Sequence, residues 1–130
     1  FGLENLEKDR RVLFFVEMDM GTERIAAPRS LDQRATIRGK FEQYDRYLTS
    51  GRFVKTYRAY GEFGFFVVLF VTTIPERIDN IRAAVLDLPK NLHAYYYLTT
   101  LGEAERDFLG PIWKSRDQKD TVLHALVSDA

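Results

Sequence analysis

The chain has 130 residues, 45% of them hydrophobic and 14% aromatic, which is the size of one domain able to bury a real core. Cysteine is absent, which excludes disulfide staples and thiolate metal sites and is compatible with a reducing cytoplasm, the expected location. Formal charge is zero, and the longest apolar run, residues 63 to 71, is far too short to cross a bilayer as a helix, so no membrane partner is expected.

In chain order, Phe1 to Leu6 reads as a short strand, Glu7 to Arg10 as a polar turn and Arg11 to Asp19 as a strongly apolar strand. Together they predict a hairpin. The opening FGLENLEKDR lacks an initiator Met and begins like the inside of a strand, so the chain is expected to be a C-terminal fragment of a longer one. Ser30 opens a helix, with Gln33 completing a capping-box pattern. Ile37, Phe41, Tyr44 and Leu48 form its apolar stripe and Gly51 ends it.

Residues 52 to 60 are ambiguous between helix and strand. Phe65 to Val71 is a second strand covered on both faces, since it shows no apolar/polar alternation. In the TTIPER segment that follows, Thr73 caps, Pro75 occupies the first turn and Glu76 closes the box of a helix whose stripe is Ile74, Ile78, Ile81 and Val85, stopped by Pro89. His93 to Leu98 reads as a strand, Thr100 to Asp107 as a short helix, GPIWKSRDQKD as loop, and Thr121 to Val127 as a terminal helix or strand. Strands alternating with helices predict a single α/β domain with a mixed central sheet that starts with a hairpin and is flanked by helices.

The segment FFVEMDMGTER places two acids at the end of an otherwise core-like strand. Side chains alternate along a strand, so Glu17 and Asp19 share a face with Leu13 and Phe15. Two carboxylates leaving water on one face need compensation by a divalent metal, a nearby cation, or exposure at the strand end before Gly21. Hard divalent cations, Mg2+ or Mn2+, take such oxygen ligands, which makes Glu17 and Asp19 the metal and catalytic candidates; the competing reading puts both acids just past the core, with Glu17 paired to an arginine of the neighbouring helix. Lys40 flanks the apolar stripe of the first helix and is the third catalytic candidate, its amine able to reach the sheet edge beside the acids; the competing and more frequent reading is a lysine snorkelling on the surface.

Charge is uneven along the chain. Residues 1 to 23 carry three basic and six acidic side chains, residues 24 to 58 nine and three, and the remainder seven and ten. The basic block suits an anion or nucleic-acid surface, with Arg24, Arg34, Arg38, Lys40 and Arg46 as DNA-contact candidates, against the alternative of a solvated helix face. Tyr44, Tyr47 and the run Tyr95 to Tyr97 read as packing. His93 and His124 are too isolated for metal-ligand or triad spacing, no phosphate-loop pattern occurs, and Trp113 is expected to plug the end of the core.

The ordered set FFVEMDMGTE, GKFEQYDRYLTSGRF, FFVVLFVTTIPERIDNIRAA and YYYLTTLGEAERDFLGPIW resembles the replication-relaxation family of plasmid and mobile-element proteins. Its most specific pieces are Glu17, Asp19, Gly21 and Thr22, then Lys40 and Tyr44, the strand ending in VTT, and the late GPIW. The resemblance implies a DNA-associated role in plasmid replication or mobilisation, with DNA and a relaxase or replication initiator as partners and a winged-helix part preceding this domain. The element order is also similar to the PD-(D/E)XK, restriction-endonuclease-like fold, in which an aspartate and a glutamate bind metal and a lysine assists. Glu17 stands for that glutamate. Asp19 occupies the lysine position, Lys40 would supply the cation from the helix, and the aspartate would lie upstream of Phe1.

Overall fold

A six-stranded mixed sheet, its strands in sequence order, organises the computed structural model, which describes residues 2–5, 10–28, 36–56 and 65–126. Strands β1 (Gly2–Asn5) and β2 (Arg10–Asp19) form the expected antiparallel hairpin, with Gly2 opposite Leu13. Strands β3 (Phe66–Thr72) and β4 (Tyr96–Thr100) continue parallel to β2. Two short antiparallel strands, β5 (Trp113–Ser115) and β6 (Leu123–His124), close the other edge. The architecture is therefore a small α/β domain with a mixed sheet.

Every residue of β3 is buried, as its continuous apolar run requires. On one face, Leu13, Phe66, Val68, Phe70, Tyr96 and Leu98 pack under helices α1 (Ile37–Ser50), α2 (Arg52–Thr56) and α3 (Glu76–Ala84). On the other, Phe14, Val67, Leu69, Val71 and Trp113 pack with Leu101, Ala104 and Phe108, the first two of these on α4 (Leu101–Asp107). Trp113 is fully buried and donates its indole N–H to the Phe108 carbonyl, the plug expected of it.

Several boundaries differ from the sequence reading. Thr36 is extended and its hydroxyl accepts from the Gly39 N–H, so α1 begins at Ile37; the Ser30–Gln33 capping box lies outside the described residues. Gly51 ends α1 in the left-handed conformation, as expected. Helix α3 starts after Pro75 without a side-chain cap; the Thr72 hydroxyl, not Thr73, accepts from the Ile74 N–H. Residues 90 to 95 form a 3-10 helix, so the tyrosine strand begins only at Tyr96. The segment read as loop contains β5, and Thr100 caps α4 as expected by accepting from the Glu103 N–H. No helix among the described residues is long and apolar enough to cross a membrane.

Candidate functional site

The parallel register puts Asp19 of β2 beside Thr72 of β3, at the end of the sheet where both strands leave the core. The Thr72 hydroxyl donates to Asp19 Oδ2 at 2.8 Å, and the Gly21 N–H donates to Oδ1 at 3.0 Å. Gly21 adopts φ 81°, the left-handed turn that brings its amide back onto the carboxylate. Arg77, in the first turn of α3, completes the cage: Nε donates to Oδ2 at 2.7 Å and Nη2 to Oδ1 at 3.3 Å. Asp19 is only 2% exposed. Burial alone would push its carboxyl up, but the hydrogen bonds from Arg77, Thr72 and Gly21, with the guanidinium charge, hold it below the ordinary carboxylate value.

Glu17 lies two residues earlier on the same face and meets α1 instead. The Tyr44 hydroxyl donates to Glu17 Oε1 at 2.5 Å, and the Lys40 ammonium is 3.8 Å from Oε2. Lys40 and Tyr44 are one helical turn apart, so both reach the strand from one side of α1. The closer partner of Lys40 is Glu23, at 2.7 Å. That hydrogen bond raises the Lys40 pKa; burial opposes it, and the charges of Glu17, Glu23 and Asp19 reinforce it. Lys40 is thus a fixed cation and not a base. Glu17, Lys40, Gln43, Tyr44 and Tyr47 line a cleft of about 370 Å³ between β2 and α1.

The nuclease-like resemblance implies Mg2+ or Mn2+ on Glu17 and Asp19, and the donor set decides whether these residues fit one. A hard divalent cation takes about six oxygens. Both Asp19 oxygens already accept two hydrogen bonds each, and an ammonium stands between Glu17 and Glu23. No three His, Asp or Glu side chains converge among the described residues. As arranged, the residues do not fit a divalent cation.

The candidate DNA-contact residues divide into two groups. Arg38 is taken up by the protein's own acceptors, donating to Glu42 at 3.0 Å, to the Ala84 carbonyl at 2.6 Å and to both oxygens of Asp87. Lys40 is held by Glu23 and Glu17. Arg24 and Arg46 are exposed, as are Arg52 and Lys55 on α2, and Arg34 lies outside the described residues. Half of the basic candidates that are described thus have their charge met within the protein.

Two features escaped the sequence reading. Arg77 and Glu23 supply the counter-charges of the site, and no local pattern marks either. A second polar cluster lies in the core behind α1, where Asp45 Oδ1 accepts from the Tyr96 hydroxyl at 2.5 Å and from Arg116 Nη1 at 2.9 Å. The fully buried Arg116 stacks over Tyr96 and donates Nε to His93 Nδ1 at 2.8 Å. Asp45 had a visible signal: it falls four residues after Phe41 and three before Leu48, inside the apolar stripe. Compared with known proteins, the chain matches no family model, no curated protein and no solved structure.

Proposed function

We propose that this domain is a DNA-associated accessory module of a plasmid or mobile-element replication or mobilisation protein, built on a restriction-endonuclease-like fold and not itself cleaving DNA. The order of hairpin, acid-tipped strand, helix, parallel strand, helix and parallel strand supports the fold reading. The observation that carries the functional reading is the contrast between cations. Those beside the acids are neutralised internally, whereas Arg46, Arg52 and Lys55, on α1 and α2 just beyond the cleft, are exposed to solvent. Gln43, Arg46 and Ser50 form an exposed polar stripe along α1, suited to running beside a phosphate backbone.

The test is fluorescence anisotropy of the full chain on duplexes of unrelated sequence over a salt series. Binding is expected to tolerate sequence changes and to weaken with salt. An Arg46→Glu, Arg52→Glu, Lys55→Glu triple variant is expected to lose affinity by at least about tenfold and to flatten the salt slope by roughly three. Equal binding by wild type and triple variant, or no binding by either, overturns the proposal.

A second reading, a protein-interaction domain docking a relaxase or replication initiator, is favoured by a different observation. Val16 and Met18, on the face of β2 away from α1, are both 43% exposed, and Met20, just past the strand's end, is 62% exposed. A DNA-independent complex with such a protein, abolished by Met18→Glu, would establish it.

A further inference from the structure

We propose that the acids of the cleft are served by resident cations: Lys40 occupies the point on which Glu17 and Glu23 converge and Arg77 fills the valences of Asp19, so the chain's own side chains replace the divalent ion that a nuclease-like fold implies. The inference rests on the nuclease-like fold reading proposed above, but not on whether the basic surface meets DNA.

Three observations carry it. The Lys40 ammonium lies 2.7 Å from Glu23 Oε1 and 3.8 Å from Glu17 Oε2, so one compact charge with three donors is shared by two carboxylates from different segments. Lys40 projects from the helical turn that ends in the fully buried Phe41, which anchors the base of its side chain. Asp19, the acid nearest in sequence to Glu17, is closed to further ligands by Arg77, Thr72 and Gly21.

The charges then determine what happens when the ammonium is removed. Glu17 and Glu23 together carry two negative charges against the one of Lys40, while Asp19 and Arg77 cancel. Without the amine, two carboxylates face one another across a half-buried gap with no counter-charge, the condition that favours capture of a hard cation. The wild-type cleft is thus a latent cation site kept closed by its own lysine.

The probe is Mn2+ alone, without DNA, titrated into the full chain with free Mn2+ read by electron paramagnetic resonance and ligand-linked stabilisation read by thermal unfolding. Wild type is expected to bind no stoichiometric ion up to about millimolar Mn2+, an ordinary range for weak carboxylate sites. Lys40→Met, which keeps the apolar stem, is expected to gain one site at least about tenfold tighter than any wild-type binding, and adding Glu17→Gln should abolish it. Lys40→Gln provides a second removal of charge if Lys40→Met does not fold. One ion bound by wild type and lost in Glu17→Gln overturns the proposal, as does a folded Lys40→Met or Lys40→Gln variant that gains none. Because DNA is absent, either result leaves the DNA reading to its own experiment.

Discussion

Arg77 grips Asp19 with two nitrogens, Nε at 2.7 Å and Nη2 at 3.3 Å, and the same Nη2 donates to the Glu23 carbonyl at 2.7 Å. One guanidinium thereby ties the start of α3 to the end of β2 and to the loop that leaves it. An arginine in the first turn opposes the helix dipole, so tertiary pairing and not helix preference accounts for it.

Arg77→Met is expected to destabilise the protein by about 3 kcal/mol, because it strands an almost fully buried carboxylate. Adding Asp19→Asn removes the stranded charge and should recover about half of that loss. Urea unfolding of the two variants and wild type measures both steps. A single variant as stable as wild type would show that the pair is dispensable.

Gly21 and Gly51 both have positive φ, at 81° and 71°, but differ in their surroundings. A methyl group at Gly21 would collide with the Ile74 side chain, whereas at Gly51 it meets open space. Gly51→Ala should therefore cost about 1 kcal/mol from backbone strain alone, and Gly21→Ala more, by roughly another 1 kcal/mol. Ile74→Ala combined with Gly21→Ala should reduce the excess, as read from thermal unfolding.

The sheet was legible where one pattern had no competitor. The unbroken apolar run of β3 and the apolar stretch of β2 admit little else, and Thr100 with its following acid marks α4. The start of α1 was not legible: Ser30 offered a capping box, while Thr36, next to the first stripe residue, offered only a hydroxyl, and the hydroxyl is the cap. The tyrosine run suggested a strand from His93, but the chain leaving Pro89 first winds through a 3-10 helix. For the site, alternation along β2 correctly put Glu17 and Asp19 on one face, and the helical wheel brought Lys40 near them. Their separate fates were hidden, because Arg77 lies 58 residues from Asp19 and the counter-charges meet only after both parallel strands have paired.

Tyr44 links the site to the core. Its ring stacks on Phe15 with centroids 6.0 Å apart while its hydroxyl donates to Glu17. Tyr44→Phe keeps the ring and removes a hydrogen bond to a charged group, so a loss of about 1.5 kcal/mol is expected. Glu17→Gln retains an acceptor for the hydroxyl and should cost less than that. Urea midpoints of the two variants decide the order, and the reverse order would mean that the Lys40 charge matters more to Glu17 than the tyrosine does.

The buried cluster predicts a pH dependence whose sign follows from His93. Arginine only donates, so the ring nitrogen facing Arg116 Nε must be unprotonated, and the imidazole is neutral with its proton on Nε2. Burial pushes the His93 pKa down from the ordinary histidine value of 6.5, and the Arg116 charge adds to the push; Asp117, Asp45 and a backbone hydrogen bond involving Leu86 oppose it. A depressed histidine binds its proton more readily in the unfolded chain. Its contribution to stability is therefore complete above about pH 6.5 and is lost progressively as the pH falls below that value. Asp19 is also depressed, but its contribution is lost only below its own ordinary value of 3.8, so the two windows are separate. Urea unfolding from about pH 7 to about pH 5 should show falling stability in wild type. His93→Gln keeps a carbonyl acceptor for Arg116 and cannot titrate, so its profile should be flatter over the same range. Parallel profiles for the two proteins would place the acid sensitivity elsewhere, and the charged pair beneath α1 would then be indifferent to its histidine.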